Sequence, residues 1–247
     1  MTATAVIQAR TASSRLPGKV LLPLDGIPVI KHIIRRVQAA DSVDDVIVAT
    51  TFHTRDDMIE EYAKEAGAFV YRGSEDDVLG RLTEAVSTVS DDIVIRITGD
   101  NPFVCPELID VVATYLQGDN FDYVSNKLNR TFPIGVDAEA MTTKCFAEME
   151  ETTNKPYYRE HATRYIRDHQ DEFTVHNVQT DDVYGLGTLA AGPELRLTLD
   201  EPDDYRLYEI VYNEIEYNNV LSVVEAVDYI MEHSLYEINS SVNQKTL

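Results

Sequence analysis

Arg10, Arg15 and Lys19 fall within one ten-residue stretch, RTASSRLPGK, in a chain of 247 residues that holds only 21 basic side chains. Thr11, Ala12, Ser13, Ser14 and Gly18 lie between them. Small residues let a backbone wrap closely around an oligophosphate. Its N–H groups and hydroxyls then donate, and the cations neutralise charge. The stretch lacks the GxxxxGK[ST] pattern and is not a Walker loop. A solvated basic loop has the same composition. The position of the stretch, directly after the apolar run TAVIQA, points to phosphate.

Two carboxylates suggest a metal. Asp100 follows the run DIVIRIT-Gly99 and precedes Asn101-Pro102, and Asp200 follows LRLTL and precedes Glu201-Pro202. A carboxylate at the end of a buried strand suits Mg²⁺, which takes one or two carboxylates and fills its remaining positions with water and substrate phosphate. Asp100 could instead cap the next turn. Asp203 and Asp204 fall in the first turn of the helix that Pro202 opens, where the helix dipole favours acidic groups.

These residues need elements to position them, and the first half of the chain supplies them. Thr4–Ala9, Val46–Thr50, Ala68–Tyr71 and Asp92–Thr98 read as strands. Pro28–Ala40, Arg55–Ala66, Asp77–Val89 and Pro106–Leu116 read as helices. Strictly alternating strands and helices with short loops make right-handed βαβ units and a mainly parallel sheet, with ligands at the carboxyl ends of its strands. The predicted fold class is therefore α/β, a Rossmann-like mixed sheet flanked by helices. The second half is less regular. Asp122–Ser125, Gly135–Met141, Phe173–Val178 and Leu195–Leu199 are expected as strands. Pro156–His169, Glu201–Asn213 and Val220–Glu232 are expected as helices, and Asn239–Leu247 as a loose tail after one domain over residues 1–238.

The stretch AVIQARTASSRLPGKVLLPLDGIPVIKHIIRRV closely resembles the opening of the cytidylyltransferases that make CMP-sugars. These include the CMP-Kdo and CMP-acylneuraminate synthetases, and the likeness is greatest to their relatives in spore-coat and surface polysaccharide biosynthesis. The resemblance covers blocks along nearly the whole chain. It implies the nucleotide-diphospho-sugar transferase fold, which is GT-A-like. It also implies that Arg10, Arg15 and Lys19 hold the triphosphate of CTP, with Gln8, Ala9 and Ser14 beside them. GDNP and RLTLDEPDD match two further family blocks, which makes Asp100 and Asp200 the metal ligands and puts Gly99, Asn101 and Arg196 near the site. Arg72-Gly73-Ser74 with Arg81 resembles the block that lines the nucleotide pocket. Arg81 has a second local option, an i,i+4 pair with Asp77. Asp137 falls where the family carries a sugar-side loop, and Arg159, Glu160 and His161 match an acceptor-side block. A homodimer would fit the family, with residues 120–195 as the candidate interface.

Bulk properties narrow the field. Acidic residues outnumber basic ones 43 to 21, for a net charge of −22. Such a surface repels nucleic acid and anionic lipid, so neither is an expected partner. It suits a salt-rich cytoplasm, where screening weakens self-repulsion, and a halophilic source is the expectation. No apolar run reaches the roughly 20 residues of a membrane span, and MTATAVIQAR does not read as a signal peptide. Cys105 and Cys145 stand in no CxxC pair and are expected as free thiols. There is no GxSxG, HExxH or DxD motif, which weakens hydrolase, metalloprotease and glycosyltransferase readings. The expected reaction is attack by a sugar hydroxyl on the α-phosphorus of CTP, with Mg²⁺ as cofactor. The alternatives are a relative that uses another NTP, with a sugar phosphate or a cofactor as acceptor, and an inactive nucleotide-binding homologue.

Overall fold

A computed structural model describes residues 3–118, 120–191 and 195–242. Strand β1 (Ala3–Gln8) opens the chain. A two-strand hairpin follows, β2 (Pro23–Leu24) and β3 (Ile27–Pro28), turned by Asp25 and Gly26, which both adopt positive φ. Asp-Gly is the dipeptide that such a tight hairpin turn favours. Helix α1 (Val29–Gln38), β4 (Val43–Thr51), α2 (Asp57–Glu65), β5 (Phe69–Gly73), α3 (Val78–Val86), β6 (Ile93–Thr98) and α4 (Pro106–Gly118) complete the alternating half. The strands pair in parallel in the order β5-β4-β1-β6. The second half adds β7 (Tyr123–Ser125), β8 (Glu139–Thr142), α5 (Thr143–Thr152), α6 (Pro156–Glu160), α7 (Arg164–Asp168), β9 (Val175–Asn177), α8 (Pro202–Glu214) and α9 (Val223–Glu232). Strand β8 inserts antiparallel beside β6 and joins β7 and β9 to the sheet, making seven strands, mostly parallel.

Both faces of this sheet are covered, which is why its central strands β1, β4 and β6 carry long apolar runs rather than a strict polar–apolar alternation. Ala3, Ala5 and Ile7 of β1 point to one face with Val48 and Ile95, under α1, α4, α8 and α9. Val6, Ile47 and Val94 point to the other, under α3, α5 and α7. Cys105 and Cys145 are free and buried. Among the described residues, no helix is long and apolar enough to cross a membrane.

Four expectations change in the second half. The helix predicted over Pro156–His169 is two short helices. Ala162, buried at positive φ, breaks it, and the break lets Thr163 bond the buried Glu139. Leu195–Leu199 is extended and buried but joins no ladder. It makes one isolated bridge to Ile134, and its Leu199 N–H bonds the Asp100 carbonyl at 2.8 Å. The strand expected from Gly135 begins only at Glu139, and helix α5, capped by the Thr142 hydroxyl, takes a stretch that had been assigned no element. Asn239, expected in a loose tail, is buried and bonded to Arg196 and Asp204. Residues 243–247 of that tail lie outside the described residues.

Candidate active site

The basic loop leaves the carboxyl end of β1, at the centre of the sheet. Gly18 bonds back to the Thr11 carbonyl at 2.9 Å and closes it, and the positive φ of Gly18 makes that turn easy for glycine. Asp56 anchors the loop from below. It is fully buried, and it accepts from the Thr11 N–H at 2.8 Å and from the hydroxyls of Thr11 and Thr51. Burial alone would raise the pKa of Asp56, but these donors outweigh it and hold the group below its usual value. The loop wraps a cavity of about 250 Å³ lined by Gln8, Ala9, Arg10, Ser14, Arg15, Lys19, Gly99 and Asp100.

Lys19 is the centre of charge. Its ammonium lies 2.8 Å from an Asp200 oxygen and 3.2 Å from an Asp100 oxygen. The Leu199–Asp100 backbone bond brings the two aspartates together, one just past β6 and one at the end of the extended segment Leu195–Leu199, 100 residues apart in sequence. Burial pushes Asp100 up, but the Lys19 ammonium and the Thr98 hydroxyl bring it down to about 2. Asp200 is likewise held below its usual value, against its burial, by Lys19 and Arg196. Burial lowers Lys19 and the two carboxylates more than reverse that, so its pKa is raised. All three groups are ionised at neutral pH. Arg15 joins them at 3.0 Å from Asp200 and 3.2 Å from Glu201.

Behind Asp200 sits a scaffold. Asp204 is fully buried, and it accepts from Arg196 at 3.0 and 3.2 Å, from the N–H groups of Asp200 and Glu201 at 2.9 Å, and from Asn239 at 2.9 Å. Arg196 in turn donates to Asp200 at 2.8 Å. Arg196 therefore positions a site carboxylate, and Asp204 does more than complement a helix dipole.

Two further cavities open from the same place. One, about 430 Å³, is lined by Gln8, Arg15, Asp100, Asn101, Asp137, Glu160, His161 and Asp200 of the expected residues, together with Arg96, Lys127, Arg130, Thr163, Arg167 and Thr198. Its lining is almost wholly charged or hydrogen-bonding residues, which suits a polar guest. The other, about 150 Å³, is lined by Gln8, Ala9, Arg10, Val78, Arg81, Glu160 and His161. Burial, with Arg10 as a like-charged neighbour, lowers Arg81 to about 10. Arg81 donates to the Ser74 carbonyl and makes no pair with Asp77. Gly73 leaves room for it, since a Cβ there would lie 2.8 Å from the Arg81 side chain.

The structure does not bring Arg72 or Arg159 to these cavities. Arg72 is held by Asp57 at 2.7 Å and Glu60 at 2.9 Å, with two backbone carbonyls. Arg159 ties α6 to Asp77, at the start of α3, and to Glu150 at 2.9 Å. Sequence reasoning missed Arg96, Lys127, Arg130, Arg167 and Glu139. Arg96 carried the one available signal, a charge inside the otherwise apolar strand IVIRIT, where burial demands a partner. That partner is Glu139, which also accepts from Tyr123 at 2.6 Å and Thr163 at 2.9 Å. Burial raises Glu139, but Lys127, Arg96 and Arg167 hold it far below the usual range.

The sequence pattern of the cytidylyltransferase family matches residues 4–230. The chain belongs to the cytidylyltransferase family. It is 35% identical over 98% of its length to an uncharacterised protein of Methanocaldococcus jannaschii, 96% of which is covered. It is 33% identical over 84% of its length to the spore coat polysaccharide biosynthesis protein SpsF of Bacillus subtilis, covering 85% of that protein. A 3-deoxy-manno-octulosonate cytidylyltransferase of Pelobacter propionicus is 41% identical over 44% of the chain and 42% of its own length. Among solved structures, a cytidylyltransferase from Leptospira borgpetersenii superposes with a TM-score of 0.88 at 28% identity, over 99% of this chain and all of that one. A CMP:2-keto-3-deoxy-manno-octonic acid synthetase complexed with CTP superposes with a TM-score of 0.63 at 18% identity, over 87% of this chain and all of that one. It shares the fold. This cytidylyltransferase thus has the family, the nucleotidyltransferase fold and the enzyme class that its sequence blocks implied.

Proposed function

We propose that this cytidylyltransferase transfers CMP from CTP to a hydroxyl of a sugar acid, releasing pyrophosphate, as a step in surface polysaccharide assembly. One observation carries the reading. A cation-rich loop closes over a cavity at the carboxyl end of β1, and its Lys19 faces two ionised aspartates where that cavity meets the large one, while Gln8, Ala9 and Arg10 join it to the small one. The loop suits a triphosphate and the small cavity beside Arg81 suits a nucleoside. The large one, whose wall sets Arg15, Arg96, Lys127, Arg130 and Arg167 beside Asp137 and Glu160, suits an acceptor that carries both a carboxylate and hydroxyls. The names of the relatives, a spore coat polysaccharide protein and a 3-deoxy-manno-octulosonate cytidylyltransferase, support the same acceptor class.

In the transfer, the acceptor oxygen forms a bond to the α-phosphorus as the bond from that phosphorus to the bridging oxygen of pyrophosphate breaks. The electron pair leaves with pyrophosphate, and the hydroxyl proton ends in solvent. Arg10, Arg15 and Lys19 bind the departing phosphates and offset the charge that builds on them. Glu160, His161 and Asp137 line the acceptor side and orient its hydroxyls.

Mg²⁺ belongs to this proposal. Asp100 and Asp200 both reach one ammonium, both are ionised, and both offer the hard oxygen donors that the ion prefers. The described residues hold no cluster of three or more His, Cys, Asp or Glu side chains suited to a metal. An ion held by two carboxylates and completed by water and phosphate oxygens fits that donor set. When bound it would supply charge neutralisation and alignment of the phosphates. Two free, buried thiols and the acidic surface favour a reducing, salt-rich cytoplasm as its location.

Calorimetric titration of the four NTPs, with Mg²⁺ in molar KCl, tests the reading. CTP-selective binding is expected. Selective binding of another NTP would overturn the base assignment, and no binding would overturn the reading as a whole.

A further inference from the structure

We infer that Gln8 is a catalytic residue whose side-chain N–H donates to a non-bridging oxygen of the α-phosphoryl group, and that Arg96 and Glu139 position it. The inference rests on the CMP-transfer reading above.

The first observation is where Gln8 stands. Among the described residues, it is the one residue that lines the phosphate cavity, the nucleoside-side cavity and the acceptor-side cavity together. Chemistry says what must lie at such a junction. In the transition state the α-phosphorus is joined to the nucleoside oxygen, the departing pyrophosphate and the attacking acceptor. No other group of the reactants belongs to all three. A residue that touches all three cavities faces that phosphoryl group.

The second observation is which way the Gln8 amide points. Arg96 Nη2 lies 2.8 Å from Gln8 Oε1. A guanidinium carries donors only, so the amide atom that meets it is the oxygen. The amide NH₂ is therefore turned away from Arg96, and no protein acceptor meets it among the described residues. Two N–H donors are left for a substrate oxygen.

The third observation is rigidity. Arg96 is 7% exposed, and its other guanidinium nitrogen bonds Glu139 and, at 3.3 Å, the Thr163 hydroxyl. Glu139 is 2% exposed and is itself held by Tyr123 and Thr163. The backbone of Gln8 is fixed as well. Its carbonyl accepts from the Gly99 N–H at 2.9 Å, and even a Cβ on Gly99 would come within 3.0 Å of that oxygen. A neutral donor held this firmly costs no reorganisation when charge develops on the phosphoryl oxygens, the condition under which such donors accelerate a reaction most.

Three variants test the assignment by single-turnover CMP transfer, steady-state kinetics and CTP calorimetry on the full chain. Gln8→Leu removes the donors. Gln8→Glu also removes them but keeps an oxygen for Arg96, so it preserves that contact and the packing. Both are expected to lower kcat by about 10²- to 10³-fold or more, the loss seen on removing one preorganised oxyanion donor, while CTP affinity in the uncharged Gln8→Leu variant stays within about threefold. Glu139→Gln, which keeps the shape but weakens the hold on Arg96, is expected to lower kcat by about tenfold with KM for CTP unchanged, as for a loss made only in the transition state. Wild-type kcat in either Gln8 variant would overturn the catalytic role. A loss of CTP affinity in Gln8→Leu matching its loss in kcat/KM would make Gln8 a ground-state binder and overturn it too. Unchanged kcat in Glu139→Gln would remove the positioning role. If the wild-type chain neither binds CTP nor transfers CMP, the underlying reading has failed, which is distinct from any of these results.

Discussion

Asp204→Asn is the most informative single change to the carboxylate scaffold. Asp204 is fully buried and accepts five hydrogen bonds, two from Arg196, two from the N–H groups of Asp200 and Glu201, and one from Asn239. An asparagine of the same shape has one oxygen, and its NH₂ meets the Arg196 guanidinium in either orientation, with Asn239 on one side or the two backbone donors on the other. Donor then meets donor in a place closed to water, and Arg196, only 6% exposed, keeps its charge with one fewer carboxylate. Breaking a buried pair from one side costs about 3–5 kcal/mol. At roughly 2–4 °C per kcal/mol for a domain of this size, the melting temperature falls by about 6–20 °C. Activity falls further than stability alone explains, because Asp200 loses the anchor of its backbone and of its Arg196 partner, and a displacement of about 1 Å can cost on the order of 10²-fold. Scanning calorimetry and a pyrophosphate-release assay below the melting temperature measure the two effects. A melting temperature within about 2 °C of wild type with unchanged kcat would refute the scaffold argument.

Lys19→Ala removes a charge-assisted contact of roughly 1.5–3 kcal/mol and should weaken CTP binding by about 10- to 150-fold; unchanged affinity by calorimetry would take Lys19 out of the site. Gly135→Ala should destabilise the fold by at least about 1–3 kcal/mol, because Gly135 has a φ of 100° and a Cβ there would overlap the Leu197 carbonyl; an unaltered urea midpoint would contradict that. Asp56, Asp100, Asp200 and Glu139 all have depressed folded-state pKa values. Their stabilisation is complete above the ordinary carboxylate range and is lost as pH falls from about 4 toward 2, since the unfolded chain takes up protons first; a melting temperature that holds constant down to pH of about 3 would contradict this sign. With a net charge of −22, the melting temperature should rise between about 0.1 and 2 M KCl as the screening length shrinks from roughly 10 Å to a few ångströms; equal stability at both salts would remove the halophilic reading.

The parallel half of the fold was legible because its strands are buried on both faces and so stand out as apolar runs separated by helical periodicity. Topology then puts residues after each run at the carboxyl edge of the sheet, which made Arg10, Arg15, Lys19 and Asp100 readable as a group, and Asp200 joins them through the Leu199–Asp100 bond. What escaped depends on contacts distant in sequence. Arg96 and Glu139 lie 43 residues apart and meet across a strand pair that no local pattern announces. Arg72 and Arg159 looked like Arg10 in sequence, but acidic neighbours on α2 and α3 claim them. The apolar alternation of Leu195–Leu199 correctly signals burial, yet burial needs no ladder, and the segment docks through Ile134 and Asp100 instead. Helical periodicity over Pro156–His169 is real too, but the chain breaks at Ala162, where Thr163 bonds Glu139, a partner distant in sequence.

Pyrophosphate release from CTP, measured with Mg²⁺ in molar KCl against a panel of sugar acids and neutral sugars, tests the central claim most directly. The account predicts release that depends on a sugar acid, yields the CMP-linked product, and disappears in Asp100→Ala. Release that needs no acceptor, or the same turnover in Asp100→Ala as in the wild type, would contradict it.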